Sequence, residues 1–263
     1  MNILDQIVAH KREELKRSKT MRPLEEVMKT LFYDRKCISL ATSLRTKNNT
    51  GIIAEFKRRS PSKGWFSQVA SPESIVKSYE KFGAAGVSIL TDNEFFGGNL
   101  KDLEAGRNIL DCPILRKDFM IDEYQFHEAK ASGADVVLLI AAILTIEEVR
   151  KFSKLAHELG MEVLLEIHNQ KELNHICEEI DMVGVNNRDL KTFLVDINQS
   201  IELSKNIPDH LLKISESGID SIDTILKLRE AGFEGFLLGE QFMKSKEPGN
   251  AFELFTKELK EAI

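Results

Sequence analysis

The sequence is poor in the residues that build metal and redox sites. Its three cysteines, Cys37, Cys112 and Cys177, are widely separated, and none belongs to a C-x-x-C motif that would indicate a zinc site or a thioredoxin-like pair. Such usage is typical of reduced thiols in a cytosolic protein. The six histidines show no H-x-H or H-E-x-x-H spacing, so the sequence predicts no metal site.

Long apolar runs and an excess of positive charge are missing too. No stretch approaches the roughly 18 uninterrupted apolar residues of a membrane-spanning helix. The N-terminal segment MNILDQIVAHKREELKR has no apolar signal-peptide core, and Asp5, Glu13 and Glu14 argue against a transit peptide. The formal net charge of -6 gives no overall basic field for nucleic acid or an anionic membrane. We therefore expect a cytoplasmic protein with no nucleic-acid or membrane partner.

From residue 51 onward, short apolar runs alternate with segments that have the spacing of amphipathic helices. The apolar runs occupy residues 51–57, 86–92, 113–119, 135–141, 162–168, 182–188, 211–217 and 235–241. Continuous runs of this kind are typical of strands buried on both faces, and their alternation with helices indicates a parallel sheet. Eight such units predict an α/β fold, the (β/α)8 TIM barrel.

A doubly wound open sheet is the alternative fold. Against it, no run is followed by G-x-G-x-x-G or G-x-x-x-x-G-K-[ST], the usual nucleotide-binding motifs of such sheets. The clearest helix signal is TIEEVRKFSKLAHELG, in which Thr145 and Glu148 form a capping-box pattern and Gly160 marks the end. The pattern thus favours the barrel.

Residues 1–50 precede the first predicted strand. Ile3, Leu4 and Ile7 fall on one side of a predicted helix in this segment. A segment of this length is marginal as an independent domain. We therefore predict an N-terminal helical extension of residues 1–50, packed on the barrel as a cap, and a catalytic barrel domain of residues 51–263.

Ionisable and amide side chains cluster at the predicted C-terminal ends of the strands, where TIM barrels carry their active sites. Glu55 and Lys57 are two residues apart on the first strand, so they point the same way. The later strand ends contribute Lys117, Glu166, Asn186, Arg188 and Glu216. Such charges can be solvated or form ion pairs that close the barrel, but several of them at one mouth favour a functional site. For His168, a hydrogen-bonded wall position is the favoured interpretation.

Glycines follow the seventh and eighth predicted strands, in SESGI and LLGEQFM. TIM barrels commonly bind phosphate through backbone N–H groups of the loops after these two strands. Gly218 and Gly239 would let the backbone approach an anion closely, although a role as turn residues alone stays open. Ser60 and Ser62, after the first strand, are candidates to bind the same anion or to cap the turn around Pro61.

Seven separated segments together match one known family. They are IIAEFKRRSPSKG, ILTDNEFFGG, PILRKDFMID, EVLLEIHN, GVNNRDLKTF, ISESGI and FLLGEQFM. On these motifs the chain resembles indole-3-glycerol phosphate synthase over essentially its full length. The resemblance implies ring closure of 1-(2-carboxyphenylamino)-1-deoxyribulose 5-phosphate to indole-3-glycerol phosphate in tryptophan biosynthesis, with loss of CO2 and water and without a cofactor. We expect this phosphorylated small molecule as the partner, and a monomer or weak homo-oligomer.

The resemblance also implies roles for individual residues. The family's general acid falls on Lys117, and its other proton-transfer groups fall on Glu166 and Lys57. The supporting polar positions are Glu55, Asn186 and Glu216. The substrate-binding positions are Arg188, Ser217, Gly218, Gly239, Pro61, Phe96 and Phe119, to which the loop serine Ser60 is added.

The chain departs from the family pattern at Glu240, where a relative has serine, and we expect this side chain not to bind a phosphate dianion. Burial of Lys117 beside cations such as Lys57 or Arg188 is expected to make it a better acid at neutral pH. Two alternatives stay open. One is another phosphosugar barrel of the phosphoribosylanthranilate isomerase type, and the other is a barrel that binds a phosphorylated metabolite without turning it over.

Overall fold

The computed structural model describes residues 3–47, 49–189 and 194–263, and its core is a closed barrel of eight parallel strands. The strands are Ile52–Phe56, Gly86–Leu90, Ile114–Lys117, Val136–Ile140, Glu162–Ile167, Met182–Asn186, Leu212–Glu216 and Gly235–Leu238, hereafter strands 1 to 8. The barrel closes because strand 1 pairs with both strand 2 and strand 8, so that Ile53 lies opposite Gly86 and Leu237. Each predicted run contains one strand. The TIM barrel is confirmed, and the open sheet is wrong.

The apolar runs are continuous because each strand is buried on both faces. On strand 1, Ile53 packs inside the barrel with Leu138 and Leu164. Its neighbours Ile52 and Ala54 point outward and pack beneath the helices. This period of two fixes which strand-end side chains enter the barrel mouth, because a residue two positions beyond an interior side chain points the same way.

The helices surround the barrel. They are Ile3–Met21, Leu24–Val27, Leu40–Leu44, Pro72–Lys81, Leu100–Arg107, Glu123–Ala131, Ile146–Glu158, Ile197–Ser204, Ile222–Glu230, Glu240–Met243 and Pro248–Ala262, with 3-10 segments at Ala141–Ile143 and Gln170–His175. The predicted capping box is confirmed. Thr145 Oγ1 accepts from the Glu148 backbone N–H at 3.2 Å, and the Thr145 N–H donates to Glu148 Oε2 at 2.8 Å.

One connection differs from the regular alternation. Between strands 5 and 6 the chain forms the 3-10 segment Gln170–His175 and no α-helix. The side chain of Asn169 starts this segment by accepting from the Lys171 N–H, and Ile176 returns to an extended conformation.

The N-terminal extension contacts both ends of the barrel. At the strand C-termini, Ile3, Leu4 and Ile7 of the first helix border a cavity. At the opposite end, the backbone N–H groups of Leu40 and Ala41 donate to Glu162 at 2.8 and 3.0 Å, and Leu40 packs into the barrel interior. The division into residues 1–50 and 51–263 stays a prediction. Within the described ranges, no helix has the length and apolar content needed to cross a membrane.

Candidate active site

A cavity of about 560 Å³ lies at the C-terminal ends of the strands, within the size range of small-molecule sites. The structure brings every predicted site residue to its wall. These residues are Glu55, Lys57, Ser60, Pro61, Phe96, Lys117, Phe119, Glu166, Asn186, Arg188, Glu216, Ser217, Gly218 and Gly239. Their individual roles stay predictions.

Lys117 lies at the centre of the charged part of the cavity. Its Nζ donates to Glu166 Oε2 at 2.8 Å and to Glu216 Oε2 at 2.6 Å. Burial lowers the pKa of Lys117, but the nearby carboxylates of Glu166, Glu216 and Glu55 outweigh burial and raise it. The expectation that neighbouring cations would make Lys117 a better acid is therefore wrong, because its closest charged partners are acids.

The pKa values of the two carboxylates that are hydrogen-bonded to Lys117 are shifted in opposite directions. Burial raises the pKa of both. For Glu166, the charges of Lys117 and His168 and a hydrogen bond from Asn186 outweigh burial and lower the pKa. For Glu216, burial and the negative charges of Glu166 and Glu55 outweigh Lys117 and raise the pKa. Glu166 is therefore the ionised member of the pair, and Glu216 is the one that binds a proton more readily.

Glu55 and Lys57 point into the cavity together, as their spacing predicts. Lys57 Nζ lies 2.7 Å from Glu55 Oε1. A Cβ at Gly239 would come within 2.7 Å of the Glu55 backbone oxygen, so strand 8 can pass this close to strand 1 only with glycine there. The lack of a side chain at Gly239 thus keeps this side of the cavity open.

The turn after strand 7 is sharply bent. Ser217 and Gly218 have φ angles of 67° and 68°, in the left-handed region that favours glycine. A Cβ at Gly218 would lie 2.0 Å from Val195 Cγ1, so this position has no room for a side chain. The bend brings the backbone of residues 217–220 to the cavity wall, beside Gly239.

Part of the cavity wall is apolar. The rings of Phe96 and Phe119 lie with their centroids 6.0 Å apart. Sequence reasoning missed nine apolar residues that line the cavity: Ile3, Leu4, Ile7, Leu90, Leu138, Ile140, Ile219, Leu237 and Leu238. Strand parity could have found Leu138 and Ile140, because they alternate with outward-facing residues of strand 4.

His168 lies behind the cavity wall. Its Nε2 is 3.3 Å from Glu166 Oε1, and its Nδ1 is 3.4 Å from Glu172 Oε2. Burial lowers the pKa of His168, but Glu172 and Glu166 outweigh burial and raise it. His168 lies beside Glu166, but neither of its ring nitrogens has a hydrogen-bond partner among the described residues, so the hydrogen bonds expected of this wall position are not confirmed.

Comparison with known proteins gives the family. The family model described as indole-3-glycerol phosphate synthase matches residues 4–255. This chain belongs to the indole-3-glycerol phosphate synthase family. Two relatives of that name show how far the similarity extends. The protein from Bacteroides thetaiotaomicron is 48% identical over 98% of this chain and 99% of its own length. The protein from Chromobacterium violaceum is 40% identical over 95% of this chain and 96% of its own length.

Among solved structures, tryptophan synthase subunit alpha from Legionella pneumophila superposes with a TM-score of 0.63. The match covers 85% of this chain and 96% of that one, at 14% sequence identity. At this identity the likeness concerns the barrel fold alone.

In this member of the indole-3-glycerol phosphate synthase family, Glu240 also faces the cavity. Its carboxylate accepts from Lys244 Nζ at 2.6 Å and lies 3.6 Å from Arg188 Nη2. Burial raises the pKa of Glu240, but Lys244, Lys57 and Arg188 outweigh burial and lower it. The residue is therefore an ionised acid at the mouth of the cavity.

Proposed function

We propose that this chain is a carboxy-lyase that converts 1-(2-carboxyphenylamino)-1-deoxyribulose 5-phosphate to indole-3-glycerol phosphate in tryptophan biosynthesis. The observation that carries the proposal is Lys117, an ammonium group held between two carboxylates in a cavity with one apolar side. The substrate has the matching parts, which are an aromatic ring, a ketone and two anionic groups. Membership of the family supports the assignment.

The cavity offers a site for each part of this substrate. Phe96 and Phe119 would bind the aromatic ring, together with Pro61 of the loop after strand 1. The bent turn at Gly218, with Gly239 next to it, would bind the phosphate through backbone N–H groups. Binding the phosphate would hold the flexible ribulose chain in the geometry of attack.

The first step forms the ring. The aromatic carbon that bears the carboxylate attacks the ketone carbon, and negative charge develops on the ketone oxygen. An ammonium group has three N–H donors, of which Lys117 uses two on Glu166 and Glu216, so one is left for that oxygen. Donation of this proton by Lys117 would contribute roughly 10² to 10⁴ in rate.

The remaining steps lose CO2 and water. Attack leaves the carboxylate beta to an iminium group, so the electron pair of the departing CO2 flows into the substrate itself. Loss of the hydroxyl group then needs an acid and a base. Glu166 is a carboxylate beside Lys117 and is assigned the base, and the cation Lys57 is assigned the acid. Asn186, which donates to Glu166 at 3.2 Å, would keep that carboxylate in place.

The compartment and the assembly are part of the proposal. We place the reaction in the cytoplasm, because Cys37, Cys112 and Cys177 are all free thiols, as is usual in a reducing compartment. We further expect a monomer or weak homo-oligomer.

The test is incubation of the purified protein with 1-(2-carboxyphenylamino)-1-deoxyribulose 5-phosphate, while indole fluorescence and released CO2 are followed. Equal amounts of indole product and CO2 are expected. An isomerase of the phosphosugar class would consume a substrate without releasing CO2. Binding of the compound without any CO2 would show a non-catalytic barrel and would overturn the proposal.

A further inference from the structure

Glu240 is an acidic side chain that the proposed reaction does not use. It lies on the cavity wall directly after Gly239, on the side to which the proposed function assigns the substrate phosphate. Its two carboxylate oxygens face two different cations. Oε1 accepts from Lys244 Nζ at 2.6 Å, and Oε2 lies 3.6 Å from Arg188 Nη2.

The other cations of the cavity have carboxylate partners of their own. Lys57 is paired with Glu55 at 2.7 Å, and Lys117 lies between two glutamates. A cation that assists the backbone N–H groups in binding the phosphate must therefore loosen its contact with a carboxylate. The contacts of Glu240 are suited to this, because Lys244 is half exposed and the distance between Glu240 and Arg188 is longer than a hydrogen bond.

We propose that Glu240 is an internal counter-anion, which pairs with Arg188 and Lys244 and opposes the binding of the substrate phosphate until these pairs break. The inference rests on the proposed function. A carboxylate near the phosphate repels it and also competes with it for the same cations. Glu240 would thereby limit the affinity for the phosphorylated substrate and speed the release of the phosphorylated product.

The experiment compares the wild type with Glu240→Gln, which keeps the size of the side chain and removes its charge. Inorganic phosphate and sulfate are titrated into each protein by calorimetry, and sulfate keeps its charge over the pH range used. Glu240→Gln is expected to bind both anions about tenfold more tightly, because the loss of a nearby negative charge removes its repulsion of the anion. Its KM for the substrate should fall, and its kcat should fall too if product release limits turnover.

Two further variants make the result specific. Glu253→Gln removes an equal charge from an exposed position on the last helix and should leave anion affinity unchanged. Glu240→Asp keeps the charge and should bind the anions nearly as weakly as the wild type. Circular dichroism confirms that each variant is folded.

The outcomes separate this inference from the proposed function. If the wild type forms indole product but Glu240→Gln binds phosphate and sulfate no more tightly, the counter-anion role is wrong and the proposed function stands. If Glu240→Gln binds them more weakly, Glu240 instead holds Arg188 in place for binding, and the inference is again wrong. If the wild type neither binds phosphate nor forms product, both proposals fail.

Discussion

Lys117 and Lys11 are both buried lysines held by carboxylates, and the carboxylates of both lie at the C-terminal end of the barrel. Lys117 belongs to a cavity cluster with Glu166 and Glu216, and part of its side chain reaches the cavity surface. Lys11, from the first helix, belongs to a sealed cluster with Asp92 and Asp118 and is fully buried. Its Nζ lies 3.0 Å from each of these aspartates.

The two clusters differ in how their carboxylates are held. In the sealed cluster, Asp118 also accepts from Thr91 Oγ1 at 2.5 Å and from Arg116 at 3.0 Å. Asp92 Oδ2 has no hydrogen bond among the described residues, but it lies 3.0 Å from Lys11 Nζ. In the cavity cluster, Glu216 Oε1 has no hydrogen-bond partner among the described residues, and the cation Lys117 contacts the other oxygen of this carboxylate. Carboxylate oxygens held by cations tie parts of the chain together, whereas Glu216 Oε1 can accept a proton or a substrate group.

The aspartates of the sealed cluster also bind the backbone of two loops. Asp92 also accepts from the Phe95 N–H at 2.8 Å, and Asp118 accepts from the Phe119 N–H at the same distance. Lys11 thereby ties the first helix to the loops that carry the aromatic wall of the cavity. We infer that the sealed cluster acts on stability and the cavity cluster on chemistry, and four predictions test this division.

The largest effect is expected from Lys117→Met. Loss of the proton donor should lower kcat by about 10² to 10⁴, while inorganic phosphate still binds, because the proposed phosphate site lies after strands 7 and 8. Steady-state kinetics with fluorescence detection of the indole product measure the loss. Lys151→Met, at an exposed lysine far from the cavity, is the control. A Lys117→Met protein with kcat within tenfold of the wild type would remove Lys117 from the chemistry.

Lys11→Met should act on stability instead. The substitution leaves the carboxylates of Asp92 and Asp118 buried without their shared cation, which typically costs about 3 to 5 kcal/mol. Urea unfolding measures this loss in the free energy of unfolding. Lys16→Met, on the exposed face of the same helix, should lose far less. Equal losses in the two variants would show that the sealed cluster does not stabilise the fold.

The pH dependence of stability should have opposite signs for Asp118 of the sealed cluster and for Glu216 of the cavity cluster. Burial raises the pKa of Asp118, but Lys11 and Arg116 outweigh burial and lower it. Asp118 therefore contributes stability that is present above its unfolded pKa and is lost as the pH falls. The pKa of Glu216 is raised, so its contribution is present at low pH and is lost as the pH rises through the folded pKa.

Two variants reveal these signs in urea unfolding between pH 4 and pH 8. Glu216→Gln cannot ionise and should be more stable than the wild type at pH 8, by about 1.4 kcal/mol for each pKa unit of the shift, with the gain vanishing towards pH 4. Asp118→Asn should be less stable than the wild type at pH 8, and the difference should shrink in acid. The same sign for both variants at pH 8 would contradict the comparison.

The sequence predicted the cavity cluster much better than the sealed one. Glu55 and Glu166 lie at the C-terminal ends of apolar runs, where a barrel carries its active site. These runs are local patterns that can be read from the sequence. Lys11 gave no such signal, since a lysine on an amphipathic helix is ordinarily solvated, and its partners Asp92 and Asp118 are far away in the chain. The raised pKa of Lys117 was also not predictable, because it depends on which charges the closed barrel brings nearest.

The smallest expected effect concerns Glu14, the third carboxylate near Lys11. Its Oε2 lies 3.0 Å from Lys11 Nζ, but its side chain is 36% exposed, whereas those of Asp92 and Asp118 are buried. Because water screens an exposed pair and a glutamine oxygen can still accept from Lys11, Glu14→Gln should cost less than about 1 kcal/mol in urea unfolding. A loss as large as that of Lys11→Met would mean that Lys11 depends on Glu14 as much as on the aspartates. The cluster would then extend to the protein surface, and burial would no longer distinguish it from the cluster in the cavity.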